Sequence, residues 1–309
     1  MTKPKHVLAV TDFSDAADVA LQQASGYARM TGATFHVLHV VPDFVRANPL
    51  FPQGSERDID TEVQLEKQAL DDLATRVQEV TGRPSYEAEL AVRIGKVESA
   101  VVRYAEERDI DAIVVGATGR SGLARLLLGS TAERVVRYAH TSVLVARETP
   151  PASRVLVATD LSEAALPAIE RAKQEAEWRG AKLELVHVID YSALGWAAAA
   201  GPLGGFAVSI PPEKIEEMRR IALEALRALG GPDVGIHVVE GSPKRAIVAA
   251  AESLQVDLVV VGTHGRTGLA RMALGSVAEA VVRSAPCSVL VVRPDVRKPR
   301  PEPVGNFES

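Results

Sequence analysis

Two glycine-rich segments with the same spacing are the residues of this sequence best suited to bind an anion. One segment runs from Gly116 to Ser130 and the other from Gly262 to Ser276. In each, two glycines separated by two residues are followed, after nine further residues, by Gly-Ser. Glycine lets a backbone approach a phosphate closely, and the first N–H groups of a helix have no intrahelical acceptor. The pattern predicts two phosphate-binding loops, although a tight turn before a capped helix would explain a single copy.

The rest of the chain is duplicated as well. At 309 residues it is long enough for two domains, and its halves align at a shift of 146 to 148 residues. Residues 111–147 are roughly two-thirds identical to residues 257–293, which indicates a duplicated domain. We expect one domain at 1–147, a Pro-containing linker at 148–153, a second domain at 154–294 and a disordered, proline-rich tail at 295–309.

Short apolar, β-rich runs alternate with helical patterns in each half. The predicted strands of the first half are residues 7–10, 35–41, 86–92, 112–115 and 142–146. This alternation is typical of βαβ units, so the predicted fold class is α/β with a parallel sheet. Ligands of such sheets lie at the carboxyl ends of the strands. Because Asp12, Val40 and Gly116 stand at three of those ends, we expect a binding crevice there.

These features resemble the universal stress protein family, in its ATP-binding subgroup. The resemblance is carried by the segments Val10-Thr11-Asp12-Phe13-Ser14 and Ala158-Thr159-Asp160-Leu161-Ser162, by His39-Val40 and His187-Val188, and by the two glycine segments. It covers nearly all of residues 5 to 293. It implies two Rossmann-like (adenine nucleotide alpha hydrolase-like) domains, each a five-stranded parallel sheet of order 3-2-1-4-5.

The resemblance also implies an intramolecular pseudo-dimer, in which residues 142–146 pair with residues 288–292. Both segments are short apolar strands that would otherwise leave unpaired backbone groups at a sheet edge. A further homodimer and a protein partner are compatible with this arrangement, and the sequence identifies neither.

One ATP site in each half is implied by the same resemblance. The ribose is expected near Asp12 and Gly116, the adenine edge on the backbone of Val40, and the phosphates on the glycine segment. The complete set of predicted binding residues is Thr11, Asp12, Val40, Gly116, Gly119, Arg120, Ser121, Gly122, Gly129, Ser130, Thr131, Thr159, Asp160, Val188, Gly262, Gly265, Arg266, Thr267, Gly268, Gly275, Ser276 and Val277.

Several of these residues have a second interpretation. Asp12 could be a helix N-cap, a position for which Ser14 competes. Arg120 and Arg266 could neutralise phosphate charge or remain solvated at the surface. His264 has no counterpart in the first half, which favours a loop or base-stacking role over catalysis. The repeated histidines before Val40 and Val188 are expected to be satisfied by hydrogen bonds at a strand end.

Other cofactor signatures are absent from the sequence. There is no G-xxxx-G-K-[ST] motif, and the glycines after residue 115 are spaced unlike the dinucleotide motif G-x-G-xx-G. No H-E-xx-H motif or cysteine cluster predicts a protein-bound metal. The cofactor that the resemblance implies is ATP, with Mg²⁺ or Mn²⁺ held through its phosphates.

We expect a nucleotide-dependent regulatory or stress-response binding module. The alternatives are a slow ATPase or nucleotidyl or phosphoryl transferase, and a scaffold whose glycines are only structural. No catalytic residue is assigned, because Ser130 and Ser276 have no adjacent base. Glu133 and Glu279, three residues further on, are expected to form a capping box at the helix start.

Composition limits the partners and the compartment. A formal net charge of -5 gives no basic surface for nucleic acid, and the single cysteine, Cys287, fits a reducing compartment. The first apolar run is too short for a signal peptide, so a cytoplasmic location is expected. Residues 191–212 carry no charge, but their glycines and prolines argue for a lid or docking loop and against a membrane span.

Overall fold

The computed structural model describes residues 3–42, 56–118, 128–149, 153–191, 211–263 and 274–294. Its strands are β1 (His6–Thr11), β2 (Thr34–Val41), β3 (Ala88–Ile94), β4 (Ala112–Gly116), β5 (Ser142–Ala146), β6 (Arg154–Ala158), β7 (Lys182–Ile189), β8 (Gly235–Glu240), β9 (Leu258–Gly262) and β10 (Ser288–Val292). Its α-helices are α1 (Asp15–Thr31), α2 (Glu56–Thr81), α3 (Val97–Glu107), α4 (Ser130–Tyr138), α5 (Leu166–Arg179), α6 (Pro212–Gly230), α7 (Pro243–Ser253) and α8 (Ser276–Ser284). The strand predicted at residues 86–92 begins two residues later, because Ser85–Glu87 form a 3₁₀ turn after Pro84.

All the described strands belong to one sheet, in the order β3-β2-β1-β4-β5-β10-β9-β6-β7-β8. Each half contributes five mutually parallel strands in the order 3-2-1-4-5, which confirms the predicted fold class. The strand order reverses beside β1 in the first half and beside β6 in the second. These reversals are the topological switch points at which open α/β sheets bind ligands.

The two halves join through their fifth strands, as predicted. β5 and β10 pair antiparallel, with Leu144 opposite Leu290 at the centre and valine pairs on either side. Both strands are buried along their whole length. Each half therefore covers the edge that the other would leave exposed.

The core consists of two aliphatic layers, one on each face of the sheet. Alternate residues of β1 point to opposite layers. Val7 and Ala9 belong to the layer that includes residues of α1, α2, α5 and α6, whereas Leu8 and Val10 belong to the layer that includes residues of α3, α4, α7 and α8. Parallel strands covered by helices on both faces are buried on both faces, which explains the continuous apolar runs of the strand sequences.

A buried ionic cluster lies between α1 of the first half and α5 of the second. Tyr27 donates its hydroxyl proton to Oε1 of Glu175 over 2.7 Å, and the Arg171 guanidinium contacts both. Arg179 donates to the other carboxylate oxygen over 3.0 Å. Burial, and then the neighbouring Glu175 carboxylate, raise the pKa of Tyr27, so this hydroxyl stays a donor. The ion pairs of the cluster lie within α5, and the hydrogen bonds of Tyr27 to Glu175 and Arg171 connect the cluster to the first half.

Two equivalent arginines connect the halves on the opposite face. Arg147, just after β5, donates to the carbonyl oxygens of Val282 (2.5 Å) and Cys287 (3.4 Å), at the end of α8 and just beyond it. Arg293, just after β10, donates to two carbonyl oxygens at the end of α4, each over 2.9 Å. The last carbonyls of a helix lack intrahelical donors. Each half therefore caps the final helix of the other, and burial lowers the pKa of both arginines.

His36, on β2, is a buried histidine near the amino-terminal edge of the first half. Its Nε2 lies 3.1 Å from Nδ1 of His6, and its Nδ1 lies 3.2 Å from the hydroxyl oxygen of Tyr104 and 3.4 Å from a carboxylate oxygen of Glu89. Desolvation lowers the pKa of His36 below its ordinary value of 6.5, and the positive fields of His6 and Arg108 act in the same direction while Glu89 opposes them. The fold therefore favours neutral His36.

We expect the chain to lose stability as the pH falls below about 6.5, the ordinary pKa of histidine. Below about pH 6.5 the unfolded chain binds the His36 proton more readily than the folded chain, so the free energy of unfolding decreases with decreasing pH. Urea unfolding at a series of pH values measures the slope. His36→Gln should reduce that slope. Equal slopes in the substituted and unsubstituted proteins would contradict the assignment to His36.

Candidate functional site

The predicted binding residues that the structure describes come together at one edge of the sheet in each half. β1 lies between β2 and β4, with Thr11 opposite His39 and Ala9 opposite Val114. Asp12, Val40 and Gly116 consequently stand at the same carboxyl edge, as expected. The second half repeats this arrangement around β6, where Val157 pairs with both Leu185 and Val260.

Part of the predicted site falls outside the residues that the structure describes. It comprises Gly119, Arg120, Ser121 and Gly122 of the first half and Gly265, Arg266, Thr267 and Gly268 of the second. The predictions for His264, for the tail at 295–309 and for most of the uncharged segment at 191–212 also fall outside the described residues. The two roles proposed for the arginines therefore both stay predictions.

A four-residue turn follows the first strand of each half. In the first half, the hydroxyl oxygen of Thr11 accepts the N–H of Phe13 over 3.0 Å. Oδ1 of Asp12 accepts both the N–H of Ser14 (3.1 Å) and its hydroxyl proton (2.5 Å). Phe13 has a φ of 63°, a left-handed conformation that bulky residues seldom adopt. Sequence reasoning found Thr11 and Asp12 but missed this backbone conformation.

The second half contains the same turn. The hydroxyl oxygen of Thr159 accepts the N–H of Leu161 over 3.0 Å, and Leu161 has a φ of 64°. Oδ1 of Asp160 accepts the N–H of Ser162 over 3.0 Å and its hydroxyl proton over 2.6 Å. Two unlike side chains, Phe13 and Leu161, thus share one unusual conformation, so the turn itself is what the duplication has preserved.

Asp12 is not the cap of α1. The N-cap is Ser14, whose Oγ accepts the N–H of Ala17 over 3.3 Å. The capping interpretation of Asp12 is therefore wrong, because the serine two residues later occupies that position. Asp12 and Asp160 are half-buried at the strand ends, where a carboxylate can accept hydrogen bonds from a ligand hydroxyl.

The repeated histidines hold the ends of the first strands. Nδ1 of His39 donates to the carbonyl oxygen of Thr11 over 2.9 Å, and Nδ1 of His187 donates to that of Thr159 over 2.8 Å. Both rings are buried, and the Phe13 ring lies against His39 with centroids 4.4 Å apart. As the sequence predicts, these histidines are satisfied by hydrogen bonds at a strand end.

Gly116 is required by packing as well as by its place at the site. A Cβ at this position would lie 2.5 Å from the carbonyl oxygen of Ala16 and 2.7 Å from its carbonyl carbon. Both atoms belong to the backbone of the first turn of α1, which passes directly over the end of β4. The resemblance assigned this glycine to the ribose alone, and no local sequence signal reveals the contact with α1.

The Gly-Ser pairs begin α4 and α8 in an extended backbone conformation. Gly129 has a φ of -67° and Gly275 a φ of -63°, so neither glycine is there to allow a positive φ. The Gly129 N–H donates to the carbonyl oxygen of Ala117 over 2.7 Å, and the Gly275 N–H to that of Thr263 over 2.8 Å. A Cβ on Gly275 would lie 3.0 Å from that Thr263 oxygen, so close approach explains the glycine.

Neither serine caps its helix. The glycines are the N-caps, and Ser130 and Ser276 are exposed first residues of α4 and α8, with no side-chain capping bond in either helix. The first-turn N–H groups of both helices consequently point to the same edge as the aspartates. Such groups, together with the helix dipole, favour an anionic ligand.

The expected capping boxes are also wrong. Glu133 pairs with Arg137 of its own helix over 3.1 Å and with Arg283 of the other half over 3.4 Å. Glu279 pairs with Arg283 over 3.4 Å and with Arg137 over 4.0 Å. A side chain engaged across the interface does not reach back to its own N-cap. The two carboxylates therefore connect α4 with α8.

The described residues include no group of three or more His, Cys, Asp or Glu side chains that could hold a metal ion. Cys287 is buried, which raises the pKa of its thiol to about 12 and keeps it protonated. Within the ranges that the structure describes, no helix is long and apolar enough to cross a membrane. At the carboxyl edge of each half, the groups available to a ligand are therefore an aspartate carboxylate, which accepts hydrogen bonds, and the N–H groups of a helix N-terminus, which donate them.

Comparison with known proteins identifies the family. The sequence profile of the universal stress protein family matches residues 3–147 and again residues 151–293. The chain belongs to the universal stress protein family. A universal stress protein of Mycolicibacterium smegmatis is 30% identical over 297 residues, which are 93% of this chain and 97% of that protein. The two matches make this chain a tandem universal stress protein.

Single-domain and structural relatives agree with the tandem arrangement. A universal stress protein of Methanocaldococcus jannaschii is 34% identical over 152 residues, which cover 48% of this chain and 84% of that protein. The crystal structure of a universal stress protein from Archaeoglobus fulgidus has a TM-score of 0.64 at 23% identity, covering 94% of this chain and 98% of the other. At that identity the likeness shows the shared fold.

Proposed function

We propose that this universal stress protein binds one ATP molecule in each half and acts as a nucleotide-dependent regulatory or stress-response module. The observation that carries the proposal is the recurrence of the aspartate turn and the glycine-led helix start at the same sheet edge in both halves. A merely structural role explains one such edge. It gives no reason for the duplication to preserve a left-handed Phe13 and a left-handed Leu161 beside the aspartates.

The residues suit the parts of the nucleotide differently. In the first half, Asp12 would accept a ribose hydroxyl, and the backbone N–H and C=O groups near Val40 would contact the base edge. The first-turn N–H groups of α4 would bind the phosphates, with Gly129 keeping that approach open. In the second half, Asp160, Val188 and Gly275 take these roles.

We expect Mg²⁺ to bind together with the nucleotide and not to the protein alone. The described residues offer no cluster of metal ligands, and Oδ1 of Asp12 is already bonded twice by Ser14. A hard cation of this kind commonly binds through substrate phosphates and water. When bound, it would neutralise phosphate charge, and the chain would hold it through the nucleotide.

Retention of ATP is favoured over its hydrolysis. Phosphoryl transfer needs a residue that positions the nucleophile in line with the bond that breaks. Glu133 and Glu279, the carboxylates next in sequence after the Gly-Ser pairs, are engaged in ion pairs with arginines of both halves. No observation on the described residues favours an ATPase or a transferase, and a binding module is the simpler function.

The glycines that precede α4 and α8 provide the test of this proposal. Gly129→Ala and Gly275→Ala should each weaken ATP binding at their own half by more than about tenfold, because a methyl group would crowd the phosphate approach. At Gly275 the added Cβ would also lie 3.0 Å from the carbonyl oxygen of Thr263. Calorimetric titration of each single variant keeps the other site as an internal reference. Thermal unfolding verifies that the fold persists. Unchanged ATP binding in a folded double variant would contradict the proposal.

A further inference from the structure

The serine two residues after each site aspartate contacts the carboxylate twice. Ser14 donates its N–H and its hydroxyl proton to Oδ1 of Asp12, over 3.1 and 2.5 Å. Ser162 makes the same pair of bonds to Oδ1 of Asp160, over 3.0 and 2.6 Å. Rotation of the carboxylate would break both bonds at once. The aspartate side chain is therefore held in one orientation before any ligand arrives.

The backbone on either side of the aspartate is fixed as well. The hydroxyl oxygen of the preceding threonine accepts the N–H of the residue that follows the aspartate. The carbonyl oxygen of the same threonine accepts a hydrogen bond from a buried histidine. The residue after the aspartate has a left-handed backbone conformation in both halves, although this residue is Phe13 in one half and Leu161 in the other. Such conformations cost free energy, and they persist where the surroundings enforce them, which is common at binding sites.

Helix capping does not account for both serines. Ser14 is the N-cap of α1 and accepts the Ala17 N–H through Oγ. Ser162 precedes the 3₁₀ helix Glu163–Ala165 and makes no side-chain capping bond. The double bond to the aspartate is what the two serines share. The second half thus separates this role from capping.

We infer that Ser14 and Ser162 are positioning residues, which hold Asp12 and Asp160 in the orientation that binds a ribose hydroxyl. This inference rests on the proposed function and adds to it a preference among nucleotides. A carboxylate fixed before binding discriminates well between ligands with and without the hydroxyl, because little ordering remains to be done when the ligand binds. Each site should therefore prefer ribonucleotides to deoxyribonucleotides, and that preference should depend on the serine hydroxyl.

The test uses the full chain and compares Ser162→Ala with Ser162→Thr. ATP, 2′-deoxy-ATP and 3′-deoxy-ATP are titrated into each protein by calorimetry. In the unsubstituted chain at least one deoxynucleotide should bind about tenfold more weakly than ATP. Ser162→Ala should weaken ATP about tenfold at one of the two sites and remove most of the deoxynucleotide penalty there. Ser162→Thr keeps a hydroxyl and should retain both the affinity and the preference.

The unfolding temperatures of the variants distinguish a positioning role of the serine from a general structural role. Ser162→Ala removes the hydroxyl bond to Asp160 but no capping bond, so it should lower the unfolding temperature less than Ser14→Ala, which removes both the bond to Asp12 and the capping bond to Ala17. Ser253→Ala, at the end of α7, is the matched control and should change neither binding nor preference. If Ser162→Ala keeps both the ATP affinity and the deoxynucleotide penalty, or weakens all three ligands equally, the inference is overturned while the proposed function stands. If the unsubstituted chain binds no ATP, both are overturned.

Discussion

Gly116→Ala is expected to destabilise the first half by about 3 kcal/mol, the upper end of what overpacking usually costs. The added Cβ would lie 2.5 Å from the carbonyl oxygen of Ala16 and 3.0 Å from the backbone nitrogen of Ala17. Both atoms are part of the α1 backbone, so no side-chain rotation relieves the contact. The first turn of α1 must move, and with it the turn that holds Asp12.

The matched control lies on the helix that Gly116 contacts. Gly26 is exposed within α1, and a Cβ there would meet no atom within 4 Å. Gly26→Ala should therefore stabilise the chain by roughly 0.5–1 kcal/mol through helix propensity. Urea unfolding of both variants measures these opposite signs. A Gly116→Ala protein within 0.5 kcal/mol of the unsubstituted chain, a threshold about the size of a typical surface effect, would show that α1 does not pack as described.

Glu175→Gln is the other substitution with a large expected effect, a loss of about 3–5 kcal/mol. Glu175 is only 1% exposed and Arg171 only 4%. Without the carboxylate, the buried Arg171 guanidinium would have no anionic partner in the cluster, and Tyr27 would lose a charged acceptor. Removing one member of a buried ion pair costs more than the pair contributes, because the remaining charge stays desolvated.

Glu170→Gln on the same helix is the control. Glu170 pairs with Lys173 over 3.0 Å but is 57% exposed, so its loss should change stability by no more than about 0.5 kcal/mol. The free energy of unfolding of both variants is measured in urea at neutral pH. Comparable small losses in the two proteins would mean that the cluster between α1 and α5 is hydrated and contributes little to joining the halves.

The arrangement of the sheet could be predicted because it follows from local patterns. Each strand is a short apolar run and each connection a helical stripe, and parallel strands place their carboxyl ends at one edge. Asp12 and Gly116 could therefore be assigned to a common site before any distance between them was known. The pairing of β5 with β10 was predictable for a related reason, since two apolar edge strands in one chain, identical in four of their five residues, need partners.

The details of the site depend on contacts that no local pattern records. The left-handed conformation of Phe13 is unusual for a bulky side chain, and it lies in the turn in which Thr11 accepts the N–H of Phe13 and Asp12 accepts that of Ser14. Gly116 meets α1 across a gap of about a hundred residues in sequence. The capping boxes failed because Glu133 and Glu279 find arginine partners across the interface, which becomes visible only when the halves are joined.

Calorimetric titration of the full chain with ATP in the presence of Mg²⁺ tests the central claim most directly. Two equivalent edges predict two ATP molecules bound per chain. Asp12→Asn and Asp160→Asn should each weaken one site, by about tenfold or more, and leave the other intact. One bound ATP or none at saturating nucleotide, or two sites that neither aspartate substitution affects, would contradict the account.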